Sequence, residues 1–193
     1  LSGGFGFGAE GQATPAAGNV MHQRFETNTK DMYVNIAISA KAVRLTGNSG
    51  SMVNALNTEV KAAYETAKWN VGRALFGNGD GILTTTEAVS KGNVVKVGST
   101  KYLKEGLIVD VYATGASEPQ EKGKGVRIVA VDRANNTITI VGPAVTLAEG
   151  FITVQNSYNR EITGIGAIFD ENVSKIYNVD RTANKYLFPT VVD

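Results

Sequence analysis

From Ser51 onward, apolar residues recur at steps of three and four along the chain. They are Val53, Leu56, Val60, Ala63, Tyr64, Ala67, Val71, Ala74 and Leu75. This period predicts an amphipathic helix, with Ser51 as the N-cap and Gly77 able to end it in a left-handed conformation. About 26 residues at 1.5 Å per residue give a length on the order of 39 Å. We therefore expect a long helix that acts as the spine of its domain.

Short stretches rich in strand-forming residues lie on both sides of this helix. Before it, residues 32–39 and 43–46 predict the strands of a long hairpin, which ends at Gly47 and the residues that follow. After Gly81 we expect strands at residues 93–97, 107–112, 126–131, 137–141 and 151–154. Glycine and asparagine turns separate them at the spacing of a small β-barrel or sandwich, and residues 126–141 predict a hairpin.

Composition changes this outline little but excludes several classes of protein. The chain has 193 residues, enough for one large domain or two small ones, and its 42% hydrophobic and 19% charged content is that of an ordered globular protein. A formal net charge of +1 leaves no surplus of cations for phosphates. Cysteine is absent, which excludes disulfides, thiolate metal sites and a cysteine nucleophile, and synthesis in a reducing cytosol is expected. No apolar run approaches the length of a bilayer span.

The first 20 residues are rich in glycine and nearly free of charge, which predicts an extended arm. Gly6, Gly8 and Gly11 match the dinucleotide fingerprint, but no strand precedes them and Pro15 follows where a helix should run. The match is therefore accidental. Because the chain begins at Leu1 and stops without a terminator, we expect part of the parent protein to be missing.

A second motif follows the spine helix and has the spacing of a calcium loop. Asn78, Asp80, Gly81 and Glu87 occupy its third, fifth, sixth and twelfth positions, but Phe76 stands where the first carboxylate belongs. No periodic helix follows Glu87. A glycine-rich turn that ends the helix is the favoured interpretation, and no metal site, cofactor site or catalytic residue is predicted.

Other candidates for chemistry lack partners. His22 is the one histidine and no nucleophile elbow accompanies it, so exposure to solvent is expected. The aspartates fall mostly near strand ends and turns, where this residue commonly caps the backbone, and their spacing gives a two-carboxylate hydrolase no support. These are Asp110, Asp132, Asp170 and Asp180. Trp69 and Tyr64 on the helix suit either a core or a subunit contact.

The order of these pieces resembles the major capsid protein family of tailed bacteriophages, whose fold encapsulin shells share. The likeness rests on the glycine-rich arm, residues 25–44, the helix ending in Ala-Leu-Phe-Gly-Asn-Gly-Asp-Gly at 74–81, and residues 156–168 and 176–181. No single piece is specific, and the ordered set carries the resemblance over most of the chain.

The resemblance implies an α+β fold of the phage major-capsid type. Its parts would be an arm at 1–20, an extended β loop at 21–50, a peripheral domain with the spine helix at 51–90, and an axial domain at 91–193. A small inserted β-barrel at about 103–155 would belong to the axial domain. The implied protein is a structural capsid subunit and not an enzyme.

The resemblance also implies where the protein works and with what. Copies made in the bacterial cytoplasm would form pentamers and hexamers of an icosahedral virion capsid that encloses the genome. Other copies of the same chain would be the main partner. A scaffold, a portal and a maturation protease would be further partners, and packaged DNA an indirect one.

Two alternatives stay open at the level of sequence. One is an encapsulin-like shell. The other is a small β-barrel module that binds nucleic acid or protein, although only Tyr112 and Phe151 are aromatic between Gly106 and Val154 and the charges there are balanced.

Overall fold

The computed structural model describes residues 5–11, 13, 16, 22–36 and 49–189. Within these ranges it has a long helix, α1 (Ser49–Ala74), a one-turn helix, α2 (Gly166–Phe169), two short 3-10 helices and ten strands. The strands are β1 (Ile82–Thr86), β2 (Val89–Gly92), β3 (Val94–Lys96), β4 (Ile108–Ala113), β5 (Val126–Asp132), β6 (Thr137–Ile140), β7 (Val145–Leu147), β8 (Gly150–Val154), β9 (Lys175–Ile176) and β10 (Val179–Asp180).

Six of the strands form an antiparallel barrel. Their order is β1-β8-β4-β5-β6-β3. A bridge between Thr86 and Val97 joins the two outer strands, and the Gly98 N–H donates to the Thr85 carbonyl at 3.0 Å. Closure of this kind leaves no long unpaired edge.

The hydrophobic core lies inside this barrel. Alternate residues of its strands point inward and are buried, as the two-residue period of a strand requires. The main ones are Leu83, Val95, Val109, Val111, Ile128, Ile138, Ile140 and Ile152, and Leu103 joins them from the loop before β4. The β2–β7 pair adds Val89 and Leu147, and the 3-10 helix Glu121–Gly123 packs against Val111 and Leu147.

Residues 155–189 return from the barrel to the end of α1. The Ile165 N–H donates to the Leu75 carbonyl at 2.8 Å. Gly164 and Gly166 pass so close to the backbone oxygens of Ala74 and Phe76 that a Cβ at either position would overlap them. The β9–β10 hairpin follows α2.

The expected α+β fold class is wrong. The described chain is mostly β structure, and α1 is its one helix longer than a turn. The predicted helix does form, and it starts two residues before Ser51. However, none of the described strands packs along it, so it is not the spine of an α+β domain. An amphipathic pattern shows that a helix has an apolar face, but not that the same chain covers that face.

The strand predictions were correct for β3, β4, β5, β6 and β8, and the β5–β6 hairpin is confirmed. Five strands were missed, β1, β2, β7, β9 and β10. The barrel strands accordingly begin at Ile82 and not near residue 103. Residues 32–36 contain no strand, and the remainder of the predicted early hairpin lies outside the described residues.

Candidate association surfaces

The glycine motif near the N-terminus has none of the surroundings of a nucleotide site. Residues 5–11 are exposed and belong to neither a helix nor a strand. A phosphate-binding loop needs a helix N-terminus to face the anion, and none follows among the described neighbours.

The loop with calcium-like spacing is closed by its own hydrogen bonds. The Asn78 side-chain amide donates to Asp80 at 2.9 Å and to Asp170 at 3.2 Å, so one amide bridges two carboxylates. Glu87, the expected twelfth-position ligand, instead forms an ion pair with Lys96 at 2.8 Å. In the described part of the chain, no group of three or more His, Asp or Glu side chains could hold a metal ion.

The four aspartates hold backbone turns and loops. Asp132, Asp170 and Asp180 accept N–H groups from residues two positions ahead. Side-chain hydrogen bonds from Asn135 and Thr182 chiefly lower the pKa of Asp132 and Asp180, and the Asn172 backbone N–H chiefly lowers the pKa of Asp170. Asp110 differs because it lies inside β4, fully buried, and accepts N–H groups from Gly125 at 2.7 Å and Asn156 at 2.8 Å. His22 is exposed, as expected.

The aromatic residues of the barrel are packed against one another. Tyr112 and Phe151 stack with ring centroids 5.1 Å apart, and Tyr158 packs on both. Burial and the nearby carboxylates of Asp110 and Glu118 raise the pKa of Tyr112. A ring that is stacked and buried in this way is not an open platform for a nucleic-acid base.

In contrast, the apolar face of α1 is open to solvent. Val53 is 54% exposed and Tyr64 is 66% exposed, and Leu56, Val60 and Val71 are also exposed. None of the described residues covers Tyr64, so it has no core role in the described part of the chain. Among the α1 side chains whose burial the structure describes, only Ala74 is fully buried, and Ala63, Ala67 and Trp69 are half-buried.

A second exposed apolar surface lies where residues 164–169 meet the end of α1. Phe76 is 68% exposed and Phe169 is 58% exposed. We call this surface the helix-end patch; its members are Leu75, Phe76, Ile165, Ile168 and Phe169. Contiguous exposed apolar surfaces of this kind commonly mark association sites.

A groove of about 900 Å³ continues from the helix-end patch, between the second half of α1 and the loop before β4. We call it the lysine–aromatic groove, defined by Lys68, Trp69, Phe76, Lys101, Tyr102 and Lys104. Lys104 lies over the Trp69 ring, 5.0 Å from its centroid, and Lys101 lies over Tyr102 at the same distance. Neither lysine forms an ion pair with a described residue.

The extended segment 22–36 is exposed throughout and contacts the β9–β10 hairpin. The Glu26 N–H donates to the Tyr177 carbonyl at 2.9 Å, and the Phe25 ring packs edge-on against Tyr177. Tyr177 and Asn178 both have positive φ, 48° and 65°, as a tight hairpin turn requires.

Sequence reasoning identified Trp69 and Tyr64 but missed the groove lysines and the α2 side of the patch. The signal was present in residues 164–168, where glycines alternate with large apolar side chains outside any strand pattern. Gly164 and Gly166 allow the close backbone approach that places Ile165 and Ile168 beside the end of α1.

Comparisons with known proteins identify no relative. No family model, no curated protein and no solved structure matches this chain. No helix in the described ranges is long and apolar enough to cross a lipid bilayer.

Proposed function

We propose that the protein is a structural subunit that associates with copies of itself, and that the assembly is a closed shell of the tailed-phage capsid type. The proposed role is structural and not enzymatic, and the use of the candidate carboxylates in turns and loops supports this proposal. The shell, its pentamers and hexamers and its further partners rest on the sequence resemblance alone.

The observation that carries self-association is the uncovered apolar face of α1. Leu56, Val60 and Tyr64 lie at steps of four along the helix and all are exposed. A helix face with this period is normally buried against a partner, because burying each large apolar side chain contributes roughly 1.5–3 kcal/mol. No described residue of the same chain supplies that partner.

The composition of α1 supports the same conclusion. The helix contains Thr58, Val60, Asn70, Val71 and Gly72, all of which are weaker helix formers than Ala or Leu. One exposed pair, Glu65 and Lys68 at 3.9 Å, adds little. Because most helical stability in proteins comes from packing of the apolar face, α1 needs an external partner to be stable along its whole length.

Sedimentation velocity of the purified chain, followed by negative-stain microscopy, tests the proposal. We expect concentration-dependent association, with rings or closed shells as the largest species. A chain that stays monomeric up to about 100 μM would contradict it, because self-association with a dissociation constant below about 100 μM would then be excluded.

A β-barrel module that binds nucleic acid is the second candidate. Closure of the six-stranded barrel is the observation in its favour. The packed Tyr112, Phe151 and Tyr158 cluster and the net charge of +1 weigh against it. Salt-dependent binding of a single-stranded oligonucleotide would favour this candidate.

A further inference from the structure

The loop that follows α1 contains the one asparagine of the sequence that a glycine follows, Asn78 before Gly79. In such a pair the glycine nitrogen can attack the asparagine side-chain carbon, because no Cβ shields that nitrogen. The new N–Cγ bond forms as the Cγ–Nδ2 bond breaks, and the proton of the glycine N–H passes through solvent to the departing nitrogen, which leaves as ammonia. Water then opens the succinimide ring and leaves aspartate or isoaspartate at position 78.

In the folded chain, both ends of the Asn78 amide are held. Its Oδ1 accepts the Asp80 N–H at 3.1 Å, and its Nδ2 donates to the carboxylates of Asp80 at 2.9 Å and Asp170 at 3.2 Å. Ammonia can leave only after both Nδ2 contacts are broken. Each contact is a hydrogen bond to a charged acceptor, which is stronger than a bond between neutral groups. The fold therefore opposes the reaction that the sequence allows.

The same contacts make the product incompatible with this loop. An aspartate at position 78 has no donor for Asp80 or Asp170, and it places a third carboxylate where the other two now share one amide. Like charges at hydrogen-bond distance repel each other. Arg181 lies close enough to lower the pKa of Asp170, but its guanidinium donates to backbone carbonyls.

The Asn78–Asp170 bond also crosses the junction between the end of α1 and residues 164–170. It lies beside the backbone bond from the Ile165 N–H to the Leu75 carbonyl, and the two connect the same pair of segments. Loss of the amide therefore removes a side-chain link between α1 and the chain that returns from the barrel.

We propose that Asn78 is a spontaneous deamidation site that the folded loop protects, and that its conversion to aspartate loosens the junction of α1 with residues 164–170. The ammonia is lost to solvent, so the change is permanent and marks chains whose loop has opened. The inference does not depend on self-association.

Peptide mass spectrometry after incubation in mildly alkaline buffer tests the protection. In the chain unfolded by guanidinium, Asn78 should convert before the other asparagines, and in the native chain its conversion should be at least about tenfold slower. Asp170→Ala removes one acceptor and should speed the native reaction. Asp132→Ala is the matched control, because it removes a turn carboxylate from the β5–β6 hairpin and should leave the rate at Asn78 unchanged.

Equal rates in the native and unfolded chains would overturn the protection, as would an Asp170→Ala rate no faster than that of Asp132→Ala. If other asparagines of the unfolded chain convert as fast as Asn78, the site itself is overturned.

The variant Asn78→Asp carries the product and tests its effect. We expect its thermal unfolding midpoint to fall by at least about 3 °C and hydrogen exchange in residues 164–170 to become faster. Asn93→Asp is the matched control, because it makes the same atom exchange on an exposed side chain between β2 and β3. It should change neither measurement.

The double variant Asn78→Asp/Asp170→Asn exchanges donor and acceptor across the junction, so it should recover part of the lost midpoint. If Asn78→Asp alone fails to fold, a folded double variant still supports the account, and an unfolded one overturns it. An Asn78→Asp chain that behaves like Asn93→Asp in both measurements would also overturn it.

Discussion

Arg73 in the last turn of α1 and Glu161, 88 positions later, form an ion pair whose side chains are only 7% and 11% exposed. This pair joins the helix to the segment that leaves the barrel. A charge left unpaired in such a place costs several kcal/mol, so the two residues fix how α1 meets the rest of the chain.

Breaking this pair from one side should destabilise the protein strongly. Arg73→Met leaves the Glu161 carboxylate buried without a partner, and we expect a loss of about 3–5 kcal/mol in the free energy of unfolding. Urea denaturation followed by circular dichroism measures it. Replacing both residues by apolar ones, as Arg73→Met/Glu161→Leu, should recover most of the loss.

The exposed pair on the same helix is the matched control. Lys68→Met breaks the contact with Glu65, and because both side chains are about two-thirds exposed the expected change is below about 0.5 kcal/mol. An equal effect at positions 73 and 68 would show that burial does not set the strength of the Arg73 contact.

The sequence predicted α1 well because its signal is local. Steps of three and four along one helix report an apolar face whatever covers it, and the five correct strands likewise follow from β-branched runs between turns. The fold class failed because it depends on what lies against that face. Tyr64 fits a core or a subunit contact equally well by its spacing, and the spacing does not say what covers the apolar face of α1.

The candidate site was predicted less completely for a similar reason. Lys104 meets Trp69 only after the barrel closes, and closure depends on β1, a short strand that the sequence analysis missed. Contacts between residues far apart in sequence cannot be read from periodicity. Phe169 was likewise missed, because it lies in a single helical turn too short to have a period.

Acid should destabilise the protein, in part through Asp170. The pKa of Asp170 is lower in the folded chain than the value of about 3.9 in an unfolded one. Its contribution to stability is therefore complete above about pH 4 to 5 and is lost as the pH falls through the folded pKa. In Asp170→Asn, we expect a lower unfolding midpoint near neutral pH and a shallower decrease on acidification.

Thermal unfolding of wild type and Asp170→Asn across the acid range tests this. Asp132 and Asp180, whose pKa values are also lowered, remain in the variant and keep part of the wild-type slope. If the unfolding midpoints of wild type and Asp170→Asn fall in parallel as the pH is lowered, Asp170 contributes nothing to the pH dependence.

Arg181 organises the segment after the barrel. It is completely buried, and its guanidinium donates to the carbonyls of four residues and lies 4.2 Å from the Phe188 ring centroid. The acceptors are Ala167, Ile168, Asp170 and Val173, at 2.8 to 3.1 Å. We expect Arg181→Met to cost about 3 kcal/mol or more, because several buried carbonyls lose their donors together.

Arg181→Lys should recover only a small part of that loss, since one ammonium group cannot reach all four acceptors. In Arg181→Met, hydrogen exchange should become faster than in wild type in residues 165–188 and should change less in the barrel strands. Lys185→Met is the control: Lys185 is exposed and forms no ion pair with a described residue, so the expected change is within about 0.5 kcal/mol. Uniformly faster exchange across the barrel would mean that Arg181 stabilises the whole fold and not this segment.

Two glycines should respond to alanine in opposite directions. Gly72 lies in α1 with no atom within 4 Å of an added Cβ, so Gly72→Ala should stabilise the helix by about 0.5–1 kcal/mol. At Gly150 in β8 an added Cβ would lie 1.8 Å from the Tyr112 carbonyl oxygen. Gly150→Ala must therefore push β8 away from β4 at the point where the barrel pairs them.

Helical ellipticity and the urea midpoint distinguish the two effects. Gly72→Ala should raise both in the isolated chain, and the gain in ellipticity should shrink as the chain associates, because the partner then already holds α1 helical. Gly150→Ala should lower the urea midpoint, because strain in the closed barrel removes about 1–3 kcal/mol from the free energy of unfolding. A gain from Gly72→Ala that does not depend on protein concentration would mean that association does not stabilise α1.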